Sequence, residues 1–311
     1  MFNINTQKAF KISLIVYAAV ILMGLIFTVV LGPKLDINFS GGTRLSYSYK
    51  GEVKEADFEA AVKEILGKKS FKVSKNEAVS GETKIFSISL AGREALSSAK
   101  QDAILAKLQE TFAKNSFDIY ASNAVNASIA GTFFAKSLVA MLITALLVIC
   151  YVGFRFRKIG GVTAAITALC SLALDLVVAF FICVIFRLEI DSNFMAVVLT
   201  ILGYSLNDTI VIYDRVRENK KLYPNLSLNE NMDNSVSATM KRNIVTTATT
   251  LLAILTVIVV SEIFGLTTLR TFAIPMAFGL VSGCISSLFV AGPLWVIWRN
   301  KLDAHKAKKA A

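Results

Sequence analysis

The chain has 311 residues, is 55% hydrophobic and carries a formal net charge of +11 at pH 7. Soluble domains are about 45–50% apolar even when glycine is counted, so this composition excludes an ordinary soluble enzyme. The four cysteines lie in apolar stretches, and the single histidine, His305, lies in a lysine-rich tail. We therefore expect no disulfide framework, no metal site and no histidine-based catalysis.

Six apolar stretches are long enough to cross a membrane, which takes about 20 mostly apolar residues. The first has too long an apolar core for a cleaved signal peptide, and no small-residue cleavage site follows it. We therefore expect it to remain as a membrane anchor. The six predicted spans are 12–31, 133–153, 160–186, 193–213, 246–264 and 271–298.

Residues 32–131 form a hydrophilic insertion between the first two spans. Their periodicity predicts the order β-α-β-β-α-β, which is the ferredoxin-like arrangement. No catalytic constellation is visible in this segment, so we expect a small folded module that makes contacts outside the membrane. The predicted strands are 43–49, 71–73, 84–90 and 117–122, and the predicted helices are 54–66 and 93–113.

The sequence therefore predicts a polytopic α-helical membrane protein with six transmembrane helices and an α+β ferredoxin-like extracytoplasmic domain between spans 1 and 2. Residues 1–31 hold the N-terminus and the first span, 32–131 form the domain, and 132–311 hold five spans and a basic tail.

Lysine and arginine mark the cytoplasmic side of such a protein. Basic residues near the span ends fall in the N-terminus, the turn after span 2, the connection between spans 4 and 5, and the C-terminal tail. A six-span chain places these four segments on one side, so we expect both termini in the cytoplasm and 32–131 outside. Their net charges of +2, +3, +2 and +4 account for the whole +11. The basic balance therefore records orientation and gives no support for nucleic-acid binding.

Polar residues interrupt three of the predicted spans, and charge inside a membrane indicates function by default. Span 3 carries Asp175 at the end of a stripe with Thr163, Thr167 and Ser171 at helical spacing. Arg242 precedes the apolar part of span 5. Span 4 contains Ser205, Asn207, Asp208 and Thr209, and span 5 contains Thr246, Thr249 and Thr250. Because these faces would be costly toward lipid, we expect them to meet inside a helix bundle.

Asp208 lies near the inner end of span 4, and Arg242 lies at the inner end of span 5, so the two are predicted to interact. Asp175 lies nearer the outer half, and acids with hydroxyls between them suit a path for H⁺ or Na⁺. Simpler interpretations remain open. Arg242 would also serve as a membrane-surface anchor, both acids as packing residues, and the hydroxyls as partners of their own helix. Gly279 and Gly283, followed by Ser286 and Ser287, are interpreted as a packing face.

Three segments resemble motifs of the SecF family of protein-export membrane subunits, within the resistance–nodulation–division superfamily of ion-driven exporters. They are LDINFSGGT (35–43), GYSLNDTIVIYDRVREN (203–219) and SVSATMKRNIVTTATT (235–250). The resemblance implies that Asp208 and Arg242 are the family's intramembrane aspartate and arginine, and that Asp175 is its acid in span 3. Asn207 and Thr209 flank Asp208 as in the family. Asn243 departs from the pattern, because Thr or Ser is common there.

The resemblance also implies function. The chain is expected to be a transport subunit and no enzyme, in the bacterial cytoplasmic (inner) membrane, with H⁺ or Na⁺ transported and no cofactor. Expected partners are SecD, the SecYEG channel, YajC, membrane lipid and a translocating unfolded polypeptide. One alternative is a small-molecule or lipid exporter subunit of the same superfamily, although such exporters normally carry two halves in one chain. An intramembrane aspartyl protease is disfavoured, because Leu206-Asn207-Asp208 does not supply the Gly-x-Gly-Asp context.

Overall fold

The computed structural model describes residues 5–67, 71–77, 84–91, 96–125, 127–264 and 266–310. Within these ranges six helical segments are long and apolar enough to cross a membrane. The helices are α1 (Thr6–Leu31), α2 (Ile37–Ser40), α3 (Glu55–Leu66), α4 (Ser98–Thr111), α5 (Ala127–Arg155), α6 (Gly161–Ile185), α7 (Ser192–Leu222), α8 (Leu228–Ile263), α9 (Thr267–Ser286) and α10 (Gly292–Ala310). The strands are β1 (Lys34–Leu35), β2 (Gly42–Tyr49), β3 (Phe71–Glu77), β4 (Lys84–Ala91), β5 (Asp118–Val125) and β6 (Glu189–Ile190).

The membrane bundle has an inner and an outer layer. Helices α6, α7 and α9 are extensively buried, whereas α1, α5 and α8 expose long apolar faces such as Val29 and Leu147. Apolar side chains of this kind are stable against lipid tails, so the outer layer fits a membrane environment. We call the end that carries both termini the terminal side, and the end that carries the α+β domain the domain side.

Two spans differ from the sequence prediction at their ends. Helix α7 continues to Leu222, and α8 already begins at Leu228, well before the predicted span at 246. The early start of α8 is fixed by a capping box in which Ser227 and Glu230 satisfy each other's backbone N–H groups. Both extensions contain several charged residues, which is why a search for apolar stretches missed them.

The last span is divided by a π-helical turn over Ser287–Ala291, which separates α9 from α10. Pro293 lies two residues after the turn and lacks the N–H group that a regular α-helix needs at that position. A π-turn of this type often marks a functional site.

The domain between α1 and α5 contains a four-stranded antiparallel sheet with the order β3-β4-β2-β5. Helices α3 and α4 pack on it, and the predicted alternation of β2 is confirmed, because Leu45, Tyr47 and Tyr49 are all buried. Phe58 of α3 stacks on Phe86 of β4 with ring centroids 4.3 Å apart. The predicted helix 93–113 is observed as Ser98–Thr111, and residues 92–95 lie outside the described residues.

A second, two-stranded sheet joins the domain to the bundle. Strand β1, just after α1, runs parallel to β6, in the connection between α6 and α7, with Lys34 opposite Glu189 and Leu35 opposite Ile190. This pairing could not be predicted from the sequence, because two-residue strands 155 positions apart leave no periodic pattern.

Candidate functional site

Asp175 is the centre of a buried polar network within the bundle. It lies on α6, is 0% exposed, and accepts hydrogen bonds from three serine hydroxyls. Ser282 Oγ donates to Oδ1 at 2.6 Å, while Ser205 Oγ and Ser286 Oγ donate to Oδ2 at 2.7 and 2.9 Å. Three charge-assisted donors can hold an ionised carboxylate in a site without water. Among the described residues, only hydroxyl groups donate hydrogen bonds to the Asp175 carboxylate.

These donors come from two helices that approach each other closely. Ser205 belongs to α7, and Ser282 and Ser286 belong to α9. Gly283 permits the approach, since a Cβ there would come within 3.0 Å of Ser205 Cβ and 3.6 Å of Asp175 Oδ2. The packing role predicted for this glycine face is thus accompanied by a polar one. The signal was present in the sequence, as Ser282 and Ser286 are one helical turn apart.

The first span also joins the network. Tyr17 of α1 is buried, and its hydroxyl lies 3.0 Å from both the carbonyl oxygen and the Oγ of Ser282. A single tyrosine in an apolar span carries no sequence signal that separates it from a packing residue, so this contribution was missed. Through Ser282, α1 is linked to the Asp175 carboxylate.

The network continues toward Asp208. Ser287, the first residue of the π-turn, lies 2.9 Å from Thr209 Oγ1 and 3.4 Å from Ser205 Oγ, and it donates to the Ser205 carbonyl at 3.1 Å. Thr209 is the neighbour of Asp208 in the chain. Buried hydroxyls therefore extend from Asp175 to the turn of α7 that carries Asp208.

Asp208 has a different environment. It is 2% exposed, and its Oδ2 is buried without a hydrogen-bond partner. Arg242 acts on it electrostatically, but the two form no ion pair within 4.0 Å, and Arg242 is exposed. The predicted Asp208–Arg242 interaction is therefore a longer-range one in this conformation.

The face that α8 turns toward the bundle is not the predicted one. Asn243 and Thr247 are buried there, and both polar atoms of the Asn243 amide lack hydrogen-bond partners. Cys284 of α9 lies close to both Thr247 and Asp208. Buried polar groups without partners are costly and rare, so those of Asp208 and Asn243 call for a functional explanation.

The polar residues predicted to support the two acids differ in their hydrogen-bond partners, and several bond only within their own helix. Ser171 is buried but donates to its own helix, at Ala168 O. Thr246 and Thr249 likewise donate within α8, and Thr250 contacts Tyr204 at 3.0 Å. The expectation that all three polar faces meet inside the bundle is thus wrong for α8, because Thr246 and Thr249 share the helix face of Arg242, about 100° away from Asn243 and Thr247.

Asn207 is exposed, on the outer surface of α7. It continues the exposed line of Thr200 and Gly203 along α7, at helical spacing, and α8 exposes Arg242 and Thr249. We use the name outer groove for this set of exposed residues on α7 and α8, namely Thr200, Gly203, Asn207, Arg242 and Thr249.

On the terminal side lies a charged cavity of about 680 Å³ between α7 and α8. Arg242 lies at its edge, and ion pairs join Asp214 to Arg217 at 2.8 Å and Arg215 to Glu218 at 2.7 Å. The cavity thus brings charged groups and solvent to the arginine nearest Asp208. It is lined by Val211, Asp214, Arg215, Arg217, Glu218, Lys221, Ala238, Thr239 and Arg242.

Within the described residues, no group of three or more His, Cys, Asp or Glu side chains is placed to hold a metal ion. The chemistry that the site offers is that of two carboxylates, an arginine, hydroxyls and an amide. Such groups bind and release H⁺ or Na⁺.

Comparisons with known proteins agree with this arrangement. Residues 104–301 match the family described as "Protein export membrane protein SecD/SecF, C-terminal". The chain is 30% identical to the protein translocase subunit SecF of Sebaldella termitidis over 309 residues, which is 99% of this chain and 96% of that protein. It is 33% identical to the protein translocase subunit SecDF of Bacillus subtilis, over 91% of this chain and 36% of that protein.

A solved structure has the same architecture. The crystal structure of SecDF from Thermus thermophilus, described as a translocon-associated membrane protein, has a TM-score of 0.76 to this chain at 26% identity. The match covers 96% of this chain and 39% of that one. The chain therefore spans nearly a whole SecF protein but less than half of a SecDF protein.

Proposed function

This chain belongs to the SecF family of protein translocase subunits, and we propose that it couples an ion gradient to protein export across the bacterial cytoplasmic membrane. Membership confirms the resemblance carried by the sequence motifs and identifies a multi-pass membrane protein of the Sec protein-transport system. The coupling ion, the partners and the orientation belong to the proposal.

The observation that carries the proposal is the buried polar path between two carboxylates. Asp175 is bound by Ser205, Ser282 and Ser286, and the hydroxyls of Ser287 and Thr209 lead from there to the level of Asp208. Charged and polar residues within spans are costly and commonly mark proton or ion relays. A bundle held together by packing alone would need no carboxylate in either position.

We assign different tasks to the two acids. Asp208 binds the driving ion, because its Oδ2 is buried and engaged by no hydrogen-bond donor of the described residues. Arg242 stabilises the ionised form when it approaches and permits proton or sodium binding when it withdraws. Asp175, fixed by three donors, holds α6, α7 and α9 in register and passes the change to the hydroxyl path.

The path needs access to water on both sides. The charged cavity between α7 and α8 supplies it on the terminal side, where Arg242 forms part of the lining. Tyr17 and Ser282 extend the polar groups beyond Asp175 into α1. The site contains oxygen ligands for either ion, so H⁺ and Na⁺ are both retained as candidates.

We further propose that SecD covers the outer groove. The groove places an amide, threonines and an arginine on the outside of spanning helices, where lipid would be an unfavourable neighbour. In the Bacillus subtilis and Thermus thermophilus proteins named SecDF, this chain matches 36% and 39% of the length, so the remainder is available for a SecD portion. A separate SecD subunit would take that place here.

The domain after α1 is proposed to be ferredoxin-like and extracytoplasmic, with both termini in the cytoplasm. The order β-α-β-β-α-β and the antiparallel sheet order β3-β4-β2-β5 support the fold, and the lysines and arginines of the terminal side support the orientation. In this position the domain would contact an unfolded polypeptide that leaves the SecYEG channel. YajC and membrane lipid complete the proposed partners.

The test is protein export into vesicles that contain this chain, SecD and SecYEG. The proton gradient and the sodium gradient are collapsed separately by selective ionophores while export of a labelled precursor is measured. One of the two treatments should reduce export to the level of vesicles without the SecD and SecF subunits. Export that withstands both treatments would show that gradient coupling is the wrong mechanism.

A further inference from the structure

The connection between α6 and α7 forms a continuous seam with the root of the domain. Arg187 Nη1 donates to the carbonyl oxygens of Leu31 and Gly32, at 2.6 and 3.1 Å, where α1 ends. The β1–β6 pair follows, and Asp36 N donates to Ile190 O at 3.1 Å. The seam thus fastens the chain that enters the domain to the loop between two spanning helices.

One side chain of the domain closes this seam. Arg44 lies on β2, and its Nη2 pairs with Asp36 Oδ1 at 2.5 Å and with Glu189 Oε2 at 2.8 Å. Its Nε donates to Ser89 Oγ of β4 at 3.1 Å. The guanidinium therefore has two partners within the domain and its root, and a third on the loop of the bundle.

The burial of this arrangement argues that it is specific. The Asp36 side chain is only 2% exposed, and Asn38 Nδ2 also donates to it at 2.7 Å. A carboxylate taken out of water is costly unless it is paired and hydrogen-bonded, so Arg44 and Asp36 depend on each other. The Nη2 group contacts both carboxylates while Nε reaches Ser89, and a lysine ammonium, with a single nitrogen, does not reproduce both sets of contacts.

The α6–α7 loop, which Arg44 contacts through Glu189, connects the two helices that carry the proposed ion-relay acids. It follows α6, which carries Asp175, and precedes α7, which carries Asp208. Asp191, two residues after Glu189, caps α7 by accepting from the N–H groups of Asn193 and Phe194. A shift of α7 along its axis or about it would therefore act directly on the seam.

We propose that Arg44 is the positioning residue that transmits movement of the ion-relay helices to the domain. This inference rests on the proposed function, and it deepens that function by naming the mechanical joint. Arg44 touches neither the ion nor the relay acids, so its loss should separate ion passage from export. In the intact seam, the domain and the α6–α7 loop move as one body. Without Arg44, the helices respond to the gradient while the domain no longer follows.

The test compares two readouts in the same vesicles with SecD and SecYEG: ion flux, followed by an internal pH- or sodium-sensitive dye, and gradient-stimulated export. Arg44→Ala should lower gradient-stimulated export about tenfold, within the usual range of coupling between sites. Ion flux should stay at or above the wild-type value. The matched control is Lys107→Ala, which removes an ion pair with Glu64 inside the domain, at 3.1 Å, and should change neither readout.

Folding of the variants is checked by co-purification with SecD. If Arg44→Ala fails this check, the conservative variants Arg44→Lys and Glu189→Gln decide, and each should show a smaller loss of export with flux retained. Full gradient-stimulated export in assembled variants would overturn the proposal, as would a joint loss of flux and export. Asp208→Asn separates this inference from the proposed function: if that variant retains ion-driven export, the relay itself is wrong, whatever Arg44 does.

Discussion

Asp175 and Asp208 are both buried carboxylates of the same bundle, yet their surroundings are opposite. Asp175 accepts three hydroxyl hydrogen bonds, whereas the Oδ2 of Asp208 is buried without a hydrogen-bond partner. A satisfied carboxylate is held in one state, while an unsatisfied one gains by binding an ion or by moving toward a cation. The difference teaches that one acid organises the bundle and the other changes state.

The largest effect is expected when the acid that changes state is neutralised. Asp208→Asn should reduce ion-driven export by about a hundredfold or more, because the carboxylate that binds the driving ion is lost. Its thermal stability in detergent should stay at or above the wild-type value, since an unpaired carboxylate is removed. A large loss of stability would show that Asp208 is instead a structural residue.

Removal of Asp175, unlike neutralisation of Asp208, should lower the stability of the protein. Asp175→Ala leaves three buried hydroxyls without their acceptor and should lower the free energy of unfolding by about 3–5 kcal/mol. Asp175→Asn keeps an acceptor and should lose less. Denaturant unfolding of the purified protein measures both values, and equal stability of Asp175→Ala and wild type would contradict the organising role.

Two buried serines, one on the Asp175 network and one outside it, sharpen the comparison further. Ser282→Ala removes a donor to the carboxylate and should cost about 1.5–3 kcal/mol. Ser171→Ala is the matched control, because that buried hydroxyl donates only to its own helix at Ala168 O, and it should change stability by less than about 1 kcal/mol. Equal losses of stability in Ser282→Ala and Ser171→Ala would mean that the hydrogen bonds to Asp175 do not stabilise the bundle more than a hydroxyl bonded within its own helix.

The smallest effect concerns Asp191, an acid outside the spans. Burial raises the pKa of Asp191 and the nearby charge of Asp36 adds to this, although the N–H groups of Phe194 and Asn193 oppose it. The folded protein thus binds this proton more tightly than the unfolded chain. The protonated Asp191 side chain therefore makes its whole contribution to folding stability at low pH. This contribution is lost as the pH rises through the pKa of Asp191 in the folded protein.

Asp191→Asn retains the helix cap and removes that pH-dependent loss, so it should gain up to about 1 kcal/mol over wild type as pH increases. Asp191→Ala should lose about 1 kcal/mol, because the cap of α7 disappears. Thermal unfolding between pH 4 and pH 8 measures both. A gain for Asp191→Asn at low pH that vanishes at high pH would reverse the expected sign.

Much of the fold was predictable, because apolar length and period-2 or period-3.6 patterns are local signals. They located the six spans, the buried stripe that ends at Asp175 and the element order of the domain. The orientation of α8 was not predictable, since Thr246 and Thr249 lie on one face and Asn243 and Thr247 on another, and only packing chooses between them. The roles of Tyr17 and Arg44 depend on partners that are distant in sequence, so no local pattern contains them.

The most direct test of the account is to observe the two carboxyl groups during the response to the ion. Infrared difference spectra of the reconstituted protein, recorded across a pH step or a sodium step, report changes in carboxyl stretching bands. We predict a band change that disappears in Asp208→Asn and persists in Asp175→Asn. A band change that persists in Asp208→Asn and disappears in Asp175→Asn would contradict the assignment of Asp208 as the acid that changes state.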